Sequence, residues 1–291
     1  MNVIITIPAY NEQSTLGGVI KEIKKSMSSS KYKYKILVLD DGSTDNTAKI
    51  ARQNGALAVS NKRNLGLAET FKREMEECIK LKADIIVHSD ADGQYPASYV
   101  PSMIKKVEQG YDLVLGSRFE KGKYKGSFTK KLGNVMFAKV FSGLLKTKVT
   151  DTTTGFRAFT KEVAILPLIN NFTYTQEQLL RAARAKMKVA EVPIIAKETR
   201  PSRLFRNPFG YAAKAWINIL RIYRDFEPLK FFGLIGSLFL LFGFALGLWI
   251  VYLWLSTGSV GALPRVILSM LLIITGVQIV LFGFLADMLK K

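Results

Sequence analysis

Short apolar runs alternate with amphipathic segments along residues 1–120. The apolar runs have the length and composition of buried strands, and they lie at residues 3–7, 36–39, 56–59, 85–87 and 113–115. Helical periodicity fills the gaps between them, at residues 16–26, 44–54, 68–81 and 98–109. This alternation predicts an α/β fold with a mostly parallel sheet flanked by helices.

Two long apolar segments follow near the C-terminus. Residues 231–255 and 266–285 contain no charged side chain. Each segment reaches the roughly 20 residues that a helix needs to cross a bilayer. The connection between them, residues 256–265, is short and contains glycine and serine. The pattern predicts a two-helix transmembrane hairpin; a buried hairpin of a soluble protein is the alternative.

Basic residues around the two spans predict their orientation. The outer flanks carry Arg221, Arg224, Lys230, Lys290 and Lys291, whereas the connection carries only Arg265. Because basic residues concentrate on the cytoplasmic side of membrane spans, we expect both ends of the hairpin in the cytoplasm. The first residues, MNVIITIPAYNE, lack the pattern of a secretory signal.

The overall charge indicates an anionic partner. The formal net charge is +19 at pH 7. Acidic lipids, phosphorylated substrates and nucleic acids all suit such a charge. Two membrane spans and the absence of a nucleic-acid recognition motif argue against nucleic acid. A single cysteine, Cys78, excludes an internal disulfide and is typical of a reducing compartment.

Residues 205–229 show a basic amphipathic pattern directly before the first span. The apolar stripe recurs at helical spacing and consists of Tyr211, Ala215, Ile219, Ile222 and Phe226. The opposite stripe consists of Lys214, Asn218, Arg221 and Asp225. Such a segment predicts an interfacial helix in contact with membrane lipids. Packing against the preceding domain is the alternative, and residues 133–148 show a weaker form of the pattern.

Polar side chains follow three of the predicted strands. They lie in residues 8–12, 40–43 and 90–94, each separated by no more than two residues from the end of an apolar run. Open α/β sheets bind their ligands at the carboxyl ends of the strands. An isolated Asp-Gly is only a turn signal. Three acidic strand ends together instead predict a ligand site at this edge of the sheet.

Asp90 and Asp92 form the sharpest chemical feature. Residues i and i+2 at a strand end point to the same side, so both carboxylates aim at one place. Mg²⁺ and Mn²⁺ take oxygen ligands and commonly bridge to substrate phosphates. Gln94 adds an amide oxygen nearby. We therefore expect a metal–diphosphate site at Asp90, Asp92 and Gln94, although a lone Asp-x-Asp also occurs in ordinary turns.

The motifs together resemble those of the family 2 glycosyltransferases. The segments that match in order and spacing are IPAYNE, VLDDGSTDNT, NLGLAET, SDADGQYP, LGSRF and DTTTGFRAF. The resemblance is strongest to dolichyl-phosphate mannose synthases and other polyprenyl-phosphate sugar transferases. It implies a Rossmann-like GT-A catalytic domain over residues 1–204. The interfacial region would then cover residues 205–229, and the transmembrane hairpin residues 230–291.

The resemblance also implies roles for individual residues. The nucleoside would be held by Pro8, Tyr10, Glu12, Leu39 and Asp41, with Asp40 beside them. The metal and diphosphate would be held by Asp90, Ala91, Asp92 and Gln94. Arg118 matches an arginine near the reacting phosphates. The catalytic set would be Asp92, Arg118, Lys131, Arg200 and Arg203.

Some of these positions depart from the family pattern. Lys131 stands where the family usually has an arginine, in a segment linked to the acceptor phosphate. Arg200 and Arg203 match the basic positions of a loop that closes over the donor, with Arg206 as an alternative, but the loop is shorter and lacks its glycine. Glu177 matches an acidic family position; a helix cap or a salt bridge is the alternative.

The resemblance implies an inverting hexosyltransferase of protein glycosylation at the cytoplasmic face of the cell membrane. The donor would be a nucleotide sugar, with GDP-mannose favoured and UDP-glucose possible. The acceptor would be dolichyl or another polyprenyl phosphate, and Mg²⁺ or Mn²⁺ the cofactor. The alternatives are a saccharide acceptor and a non-enzymatic membrane module that binds nucleotides or lipid. No Q-x-x-R-W motif of processive synthases is present. The sequence indicates no oligomeric state.

Overall fold

The chain divides into two compact units, Met1–Arg203 and Leu204–Lys291. The computed structural model describes residues 1–119, 138, 141–143, 148–168, 174–197, 217, 220–221, 223–260 and 263–289. Within these residues the first unit contains a seven-stranded sheet with flanking helices, and the second contains two long apolar helices.

The strands of the sheet are β1 Asn2–Ala9, β2 Lys33–Asp40, β3 Leu57–Ser60, β4 Ile85–His88, β5 Leu113–Ser117, β6 Arg157–Thr160 and β7 Val189–Pro193. Their order across the sheet is β3-β2-β1-β4-β6-β5-β7. Strand β6 is antiparallel to β4 and β5, and the other pairs are parallel. The carboxyl ends of β1, β2, β4 and β5 therefore share one edge, at which β6 begins.

The predicted mostly parallel sheet is confirmed, and the structure adds β6 and β7 to the predicted strands. Neither strand is predicted from an apolar run, because each contains a charged residue. Arg157 opens β6, and Glu191 lies in the middle of β7. The chain reaches β7 through the helices α5 Lys161–Ala164 and α6 Tyr174–Arg184.

The helices on the first half of the sheet are α1 Leu16–Ser28, α2 Thr47–Gln53, α3 Leu67–Lys80 and α4 Val100–Glu108. Helix α2 begins at Thr47, three residues after the predicted start. The reason is a local turn in which the Asp45 carboxylate accepts a hydrogen bond from the Thr47 amide, at 2.9 Å. Helix α4 also begins later than predicted, because a 3₁₀ turn, Ala97–Tyr99, precedes it.

The two C-terminal helices are α7 Pro228–Thr257 and α8 Leu263–Met288. Both are long and apolar enough to cross a membrane, and both contain the predicted spans. They pack closely at Gly236 and Gly276, where an added Cβ on either glycine would lie 2.8–2.9 Å from the carbonyl oxygen of the other. The Ser269 hydroxyl donates a hydrogen bond to the Gly243 carbonyl at 2.9 Å. The small residues thus allow the helix backbones to approach each other.

The predicted interfacial region lies mostly outside the described residues. Residues 223–226 form a helical turn just before α7. The proposed helix over residues 205–229 and the weaker pattern over residues 133–148 stay predictions.

Candidate active site

The predicted nucleoside side of the site forms where β1 and β2 end next to each other. Pro8 and Leu39 are register partners in the parallel pair, and both are buried. Tyr10 follows directly after β1 and is 42% exposed. The structure therefore places two buried apolar residues and one exposed aromatic ring at the carboxyl edge of the sheet, and their contact with a nucleoside stays a prediction.

Asp41 orders the loop that follows β3. Its carboxylate accepts hydrogen bonds from the Asn61 side chain at 2.7 Å and from the Leu65 and Gly66 amides at 2.9 Å each. Gly42 has a φ of 71°, and an added Cβ there would lie 2.5 Å from the backbone of Arg63. Asp41 is thus a buried anchor between two loops at the site edge, a role that the sequence does not indicate.

Asp40 and Glu12 are also buried and engaged. The Asp40 carboxylate accepts a hydrogen bond from the Ser43 amide at 3.1 Å. The Glu12 carboxylate accepts one from the Thr15 hydroxyl at 2.9 Å, and the Glu12 amide donates to the Thr47 hydroxyl at 2.8 Å. The loops after β1 and β2 are therefore tied together before any ligand binds.

Asp90 and Asp92 follow β4 at the same edge. Asp92 accepts a hydrogen bond from the Gln94 amide at 2.9 Å, which fixes the turn. No hydrogen-bond donor among the described residues reaches the Asp90 carboxylate. Burial among protein atoms raises the pKa of Asp90 to about 6; His88 and Arg118 oppose this shift, and Asp92 and Glu74 add to it.

Gly155 forms one wall of the Asp90 pocket. An added Cβ at Gly155 would lie 3.1 Å from one Asp90 carboxylate oxygen and 3.3 Å from the other, so only glycine leaves this space open. The Gly155 amide donates a hydrogen bond to the Tyr95 hydroxyl at 3.3 Å. The Tyr95 ring stacks on Phe156, with centroids 5.2 Å apart. The motif after β4 and the segment before β6 are therefore packed against each other.

The residues at this edge fit a hard divalent cation. Within the described ranges, no group of three His, Cys, Asp or Glu side chains forms a complete protein-made metal cage. Mg²⁺ and Mn²⁺ sites in phosphate-handling enzymes need fewer protein ligands, since substrate phosphates and water complete the shell. Asp90 and Asp92 supply two such carboxylates, and Asp90 has no competing donor among the described residues.

Arg118 lies after β5 and is held by the segment before β6. Its guanidinium binds both Asp151 carboxylate oxygens, at 2.7 and 3.0 Å, and donates to the Thr153 hydroxyl at 3.0 Å. Glu191 of β7 in turn accepts hydrogen bonds from the amides of Thr150 and Asp151, at 2.8 and 3.0 Å. Arg118 therefore lies at the predicted edge in a fixed orientation; its contact with substrate phosphates stays a prediction.

Arg157 and Glu177 have structural partners. The Arg157 guanidinium is fully buried, and it donates hydrogen bonds to the carbonyls of Thr154 and Thr175 and to the Gln178 side chain. Burial lowers the pKa of Arg157 to about 10. The buried Glu177 carboxylate pairs with Arg181, one helical turn later, at 2.6 Å. This pair matches the salt-bridge alternative for Glu177.

Lys131, Arg200, Arg203 and the alternative Arg206 lie outside the described residues, so their roles stay predictions. Ala91 is buried directly between the two aspartates. His88 of β4 is fully buried, and it belongs to a polar network with Glu74 that the sequence did not predict. The only signal was a histidine inside an apolar strand.

Two family models match the chain. Residues 4–165 match the model described as Glycosyl transferase family 2. Residues 211–290 match the model described as Glycosyltransferase family 2 C-terminal transmembrane region. The second match covers the two apolar helices, so they are membrane spans.

Two relatives from Haloferax volcanii are similar over most of their length. The chain is 31% identical to a dolichyl-phosphate hexose transferase over 75% of the chain and 92% of the relative. It is 28% identical to glycosyltransferase AglJ over 99% of the chain and 93% of the relative. Among solved structures, glucosyl-3-phosphoglycerate synthase from Mycobacterium tuberculosis, in complex with Mn²⁺, uridine-diphosphate-glucose and phosphoglyceric acid, is similar with a TM-score of 0.60. That match has 22% identity and covers 76% of this chain and 78% of the other, which shows a shared fold.

Proposed function

The chain belongs to glycosyl transferase family 2 and is a membrane-bound glycosyltransferase, and we propose that it transfers a hexose from a nucleotide sugar to a polyprenyl phosphate. The observation that carries the proposal is the pair Asp90 and Asp92 at the carboxyl edge of the sheet. One of these carboxylates has no hydrogen-bond donor among the described residues, and both follow β4, the strand that pairs with β1.

The donor would lie along the edge from β2 to β4. Pro8, Leu39 and Tyr10 would contact the base and ribose. Asp90, Asp92 and Gln94 would hold Mg²⁺ or Mn²⁺, which neutralises negative charge on the diphosphate when it is bound. The structural relative that contains Mn²⁺ and uridine-diphosphate-glucose has the same fold, which supports a nucleotide-sugar donor bound together with a metal ion.

The acceptor would be a phosphate that is already ionised near neutral pH. It needs no strong general base, unlike a sugar hydroxyl. Its oxygen would form the bond to the anomeric carbon while the bond from that carbon to the diphosphate oxygen breaks. In-line attack releases the nucleoside diphosphate and inverts the anomeric configuration. Glu177, which pairs with Arg181, is given no role in this step.

A polyprenyl phosphate also explains why the enzyme has membrane spans. A lipid of this kind stays in the bilayer, so the enzyme must reach it there. The dolichyl-phosphate hexose transferase from Haloferax volcanii supports the same acceptor class for this chain. Lys131 would bind the acceptor phosphate, and Arg118, Arg200 and Arg203 would offset the charge of two phosphorylated substrates. Mannose is the favoured sugar and glucose the alternative.

A radiolabel assay tests the proposal. The purified full chain is incubated in detergent with Mn²⁺, a radiolabelled nucleotide sugar and dolichyl or undecaprenyl phosphate, and the lipid is extracted with organic solvent. The donors are GDP-mannose, UDP-glucose and UDP-galactose in parallel. We expect label in the lipid phase with one donor, and none with the Asp92→Ala variant.

A second arm of the assay offers a neutral saccharide acceptor in place of the lipid phosphate. Label on the saccharide and none on the lipid would contradict the acceptor and leave the glycosyltransferase assignment intact. Nucleotide binding without transfer to any acceptor would favour a non-enzymatic membrane module.

A further inference from the structure

A buried polar network lies directly behind Gly155, the residue that forms one wall of the Asp90 pocket. It joins Thr6 of β1, Glu74 of α3 and His88 of β4, and all three side chains are fully buried. The Thr6 hydroxyl donates to one Glu74 carboxylate oxygen at 2.6 Å. The other Glu74 oxygen lies 3.2 Å from His88 Nε2, and neither of these two atoms has another hydrogen-bond partner among the described residues.

The other ring nitrogen of His88 connects this network to the site. His88 Nδ1 lies 2.8 Å from the carbonyl oxygen of Gly155. A carbonyl only accepts hydrogen bonds, so Nδ1 must carry the hydrogen. Nε2 then faces Glu74, and Glu74 fixes the ring orientation from behind. The aromatic rings of Phe71 and Tyr174, with centroids 5.0 and 6.1 Å from the imidazole centroid, enclose it.

Gly155 is therefore held from two sides. His88 binds its carbonyl, and the Tyr95 hydroxyl binds its amide at 3.3 Å. This residue is also the wall whose added Cβ would lie 3.1 Å from the Asp90 carboxylate. A displacement of Gly155 by a few tenths of an ångström would change the space in which that carboxylate can rotate.

We propose that His88, held by Glu74, is a positioning residue that fixes Gly155 and thereby holds the Asp90 carboxylate in the orientation that binds the divalent cation. This inference rests on the proposed function, because it concerns the cation site of the donor diphosphate. His88 contacts neither substrate nor cation in this account. Residues behind a metal ligand commonly orient it and alter metal affinity.

A buried network could also serve stability alone, so the test needs variants that separate the two roles. The Glu74→Gln variant removes the buried carboxylate, keeps the shape, and serves as the reference background. In that background His88→Leu removes the donor to Gly155. His88→Asn in the same background restores a donor, since the asparagine amide nitrogen reaches about where Nδ1 lies.

The readout is the Mn²⁺ affinity in the presence of GDP or UDP, whichever the wild type binds, measured by electron paramagnetic resonance of unbound Mn²⁺. The thermal unfolding midpoint is recorded beside it. We expect the Mn²⁺ Kd of Glu74→Gln/His88→Leu to be about 2- to 10-fold higher than that of Glu74→Gln, because one hydrogen bond to Gly155 is lost. Glu74→Gln/His88→Asn should recover most of that loss. Nucleotide affinity without Mn²⁺ should be the same in all three variants.

An unchanged Mn²⁺ Kd in the folded His88→Leu double variant would overturn the inference, as would failure of His88→Asn to improve on it. If the His88→Leu double variant does not fold, Tyr95→Phe replaces it as the decisive variant, because it removes the hydrogen bond on the other side of Gly155. Tyr95→Phe should also raise the Mn²⁺ Kd, and an unchanged value would overturn the inference. A wild type that binds Mn²⁺ with neither nucleotide would overturn the proposed function and this inference with it.

Discussion

Carboxylates on the nucleoside side and on the metal side of the site differ in the hydrogen bonds that they accept from the protein. On the nucleoside side, Asp41 accepts three hydrogen bonds from one neighbouring loop, and Asp40 and Glu12 each accept at least one. On the metal side, Asp90 accepts none from the described residues, and its pKa is raised to about 6, chiefly by burial. Asp41 is already stabilised by the protein, whereas Asp90 has unused acceptor capacity.

This difference separates scaffold from ligand site among residues that look alike in the sequence. A buried carboxylate with several donors stabilises the fold and has little capacity left for a ligand. A carboxylate without donors, close to a second carboxylate, is stabilised by a cation. Asp41 should therefore matter mainly for loop order, and Asp90 mainly for binding and catalysis.

The largest expected effect is the loss of transfer in Asp90→Asn and Asp92→Ala. Loss of a metal ligand removes several kcal/mol of charge stabilisation, so transfer should fall by at least about 100-fold. The measurement is the radiolabel assay in saturating Mn²⁺. The unfolding midpoint of Asp90→Asn without metal should equal or exceed that of the wild type, because an unsatisfied carboxylate is removed. A clear fall of that midpoint would contradict the contrast with Asp41.

The next effect concerns the acceptor. Lys131→Ala should raise the KM for polyprenyl phosphate by roughly 10- to 100-fold, since a charge-assisted contact to phosphate contributes about 1.5–3 kcal/mol. Donor affinity should change little, and Lys131→Arg is the matched control that should retain activity. An equal loss of donor and acceptor affinity in Lys131→Ala would contradict the proposal that Lys131 binds the acceptor phosphate and not the donor.

Asp41→Asn should destabilise the protein rather than abolish chemistry. The Asn61 and Leu65 donors share one Asp41 oxygen and the Gly66 amide uses the other, so the asparagine NH₂ group would face at least one of these donors. We expect a loss of about 2–3 kcal/mol in the free energy of unfolding, measured by denaturant titration in detergent. Mn²⁺ should still strengthen nucleotide binding in this variant. If Asp41→Asn is as stable as the wild type but its nucleotide binding no longer depends on Mn²⁺, the assigned roles of Asp41 and Asp90 are reversed.

Gly155→Ala should give the smallest of these effects. The added methyl group would lie 3.1 Å from the Asp90 carboxylate, a contact that a small side-chain shift can relieve. We expect a rise of about 3- to 10-fold in the Mn²⁺ concentration needed for half-maximal transfer, consistent with a perturbed neighbour of a metal ligand. Gly18→Ala, where an added Cβ meets nothing within 4 Å, is the control.

The sequence predicts the parts of this molecule that depend on local pattern. The alternation of apolar and amphipathic segments yields the parallel strands, and the two uncharged segments yield the membrane helices. Acidic residues after β1, β2 and β4 indicate the site edge, because parallel strands bring their carboxyl ends together. These predictions require no knowledge of contacts between residues far apart in the sequence.

The features that the sequence does not predict depend on contacts between residues far apart in the chain. Strand β6 is recognised only by its place between β4 and β5, since Arg157 interrupts any apolar run. The different states of Asp41 and Asp90 depend on loops 20 or more residues away, such as Asn61 and Gly66 for Asp41. The pairing of Glu74 with His88 likewise joins a helix face to a strand, and no spacing rule connects the two positions.

Nucleotide binding with and without Mn²⁺ tests the central claim most directly. Isothermal titration of the full chain with GDP and with UDP, in Mn²⁺ or in excess chelator, would be compared for wild type, Asp90→Asn and Asp41→Asn. We predict that the wild type and Asp41→Asn bind one nucleotide more tightly with Mn²⁺, and that Asp90→Asn loses this dependence while still folded. Equal affinity of the wild type in Mn²⁺ and in chelator, or a Mn²⁺ dependence that survives in Asp90→Asn, would contradict the account.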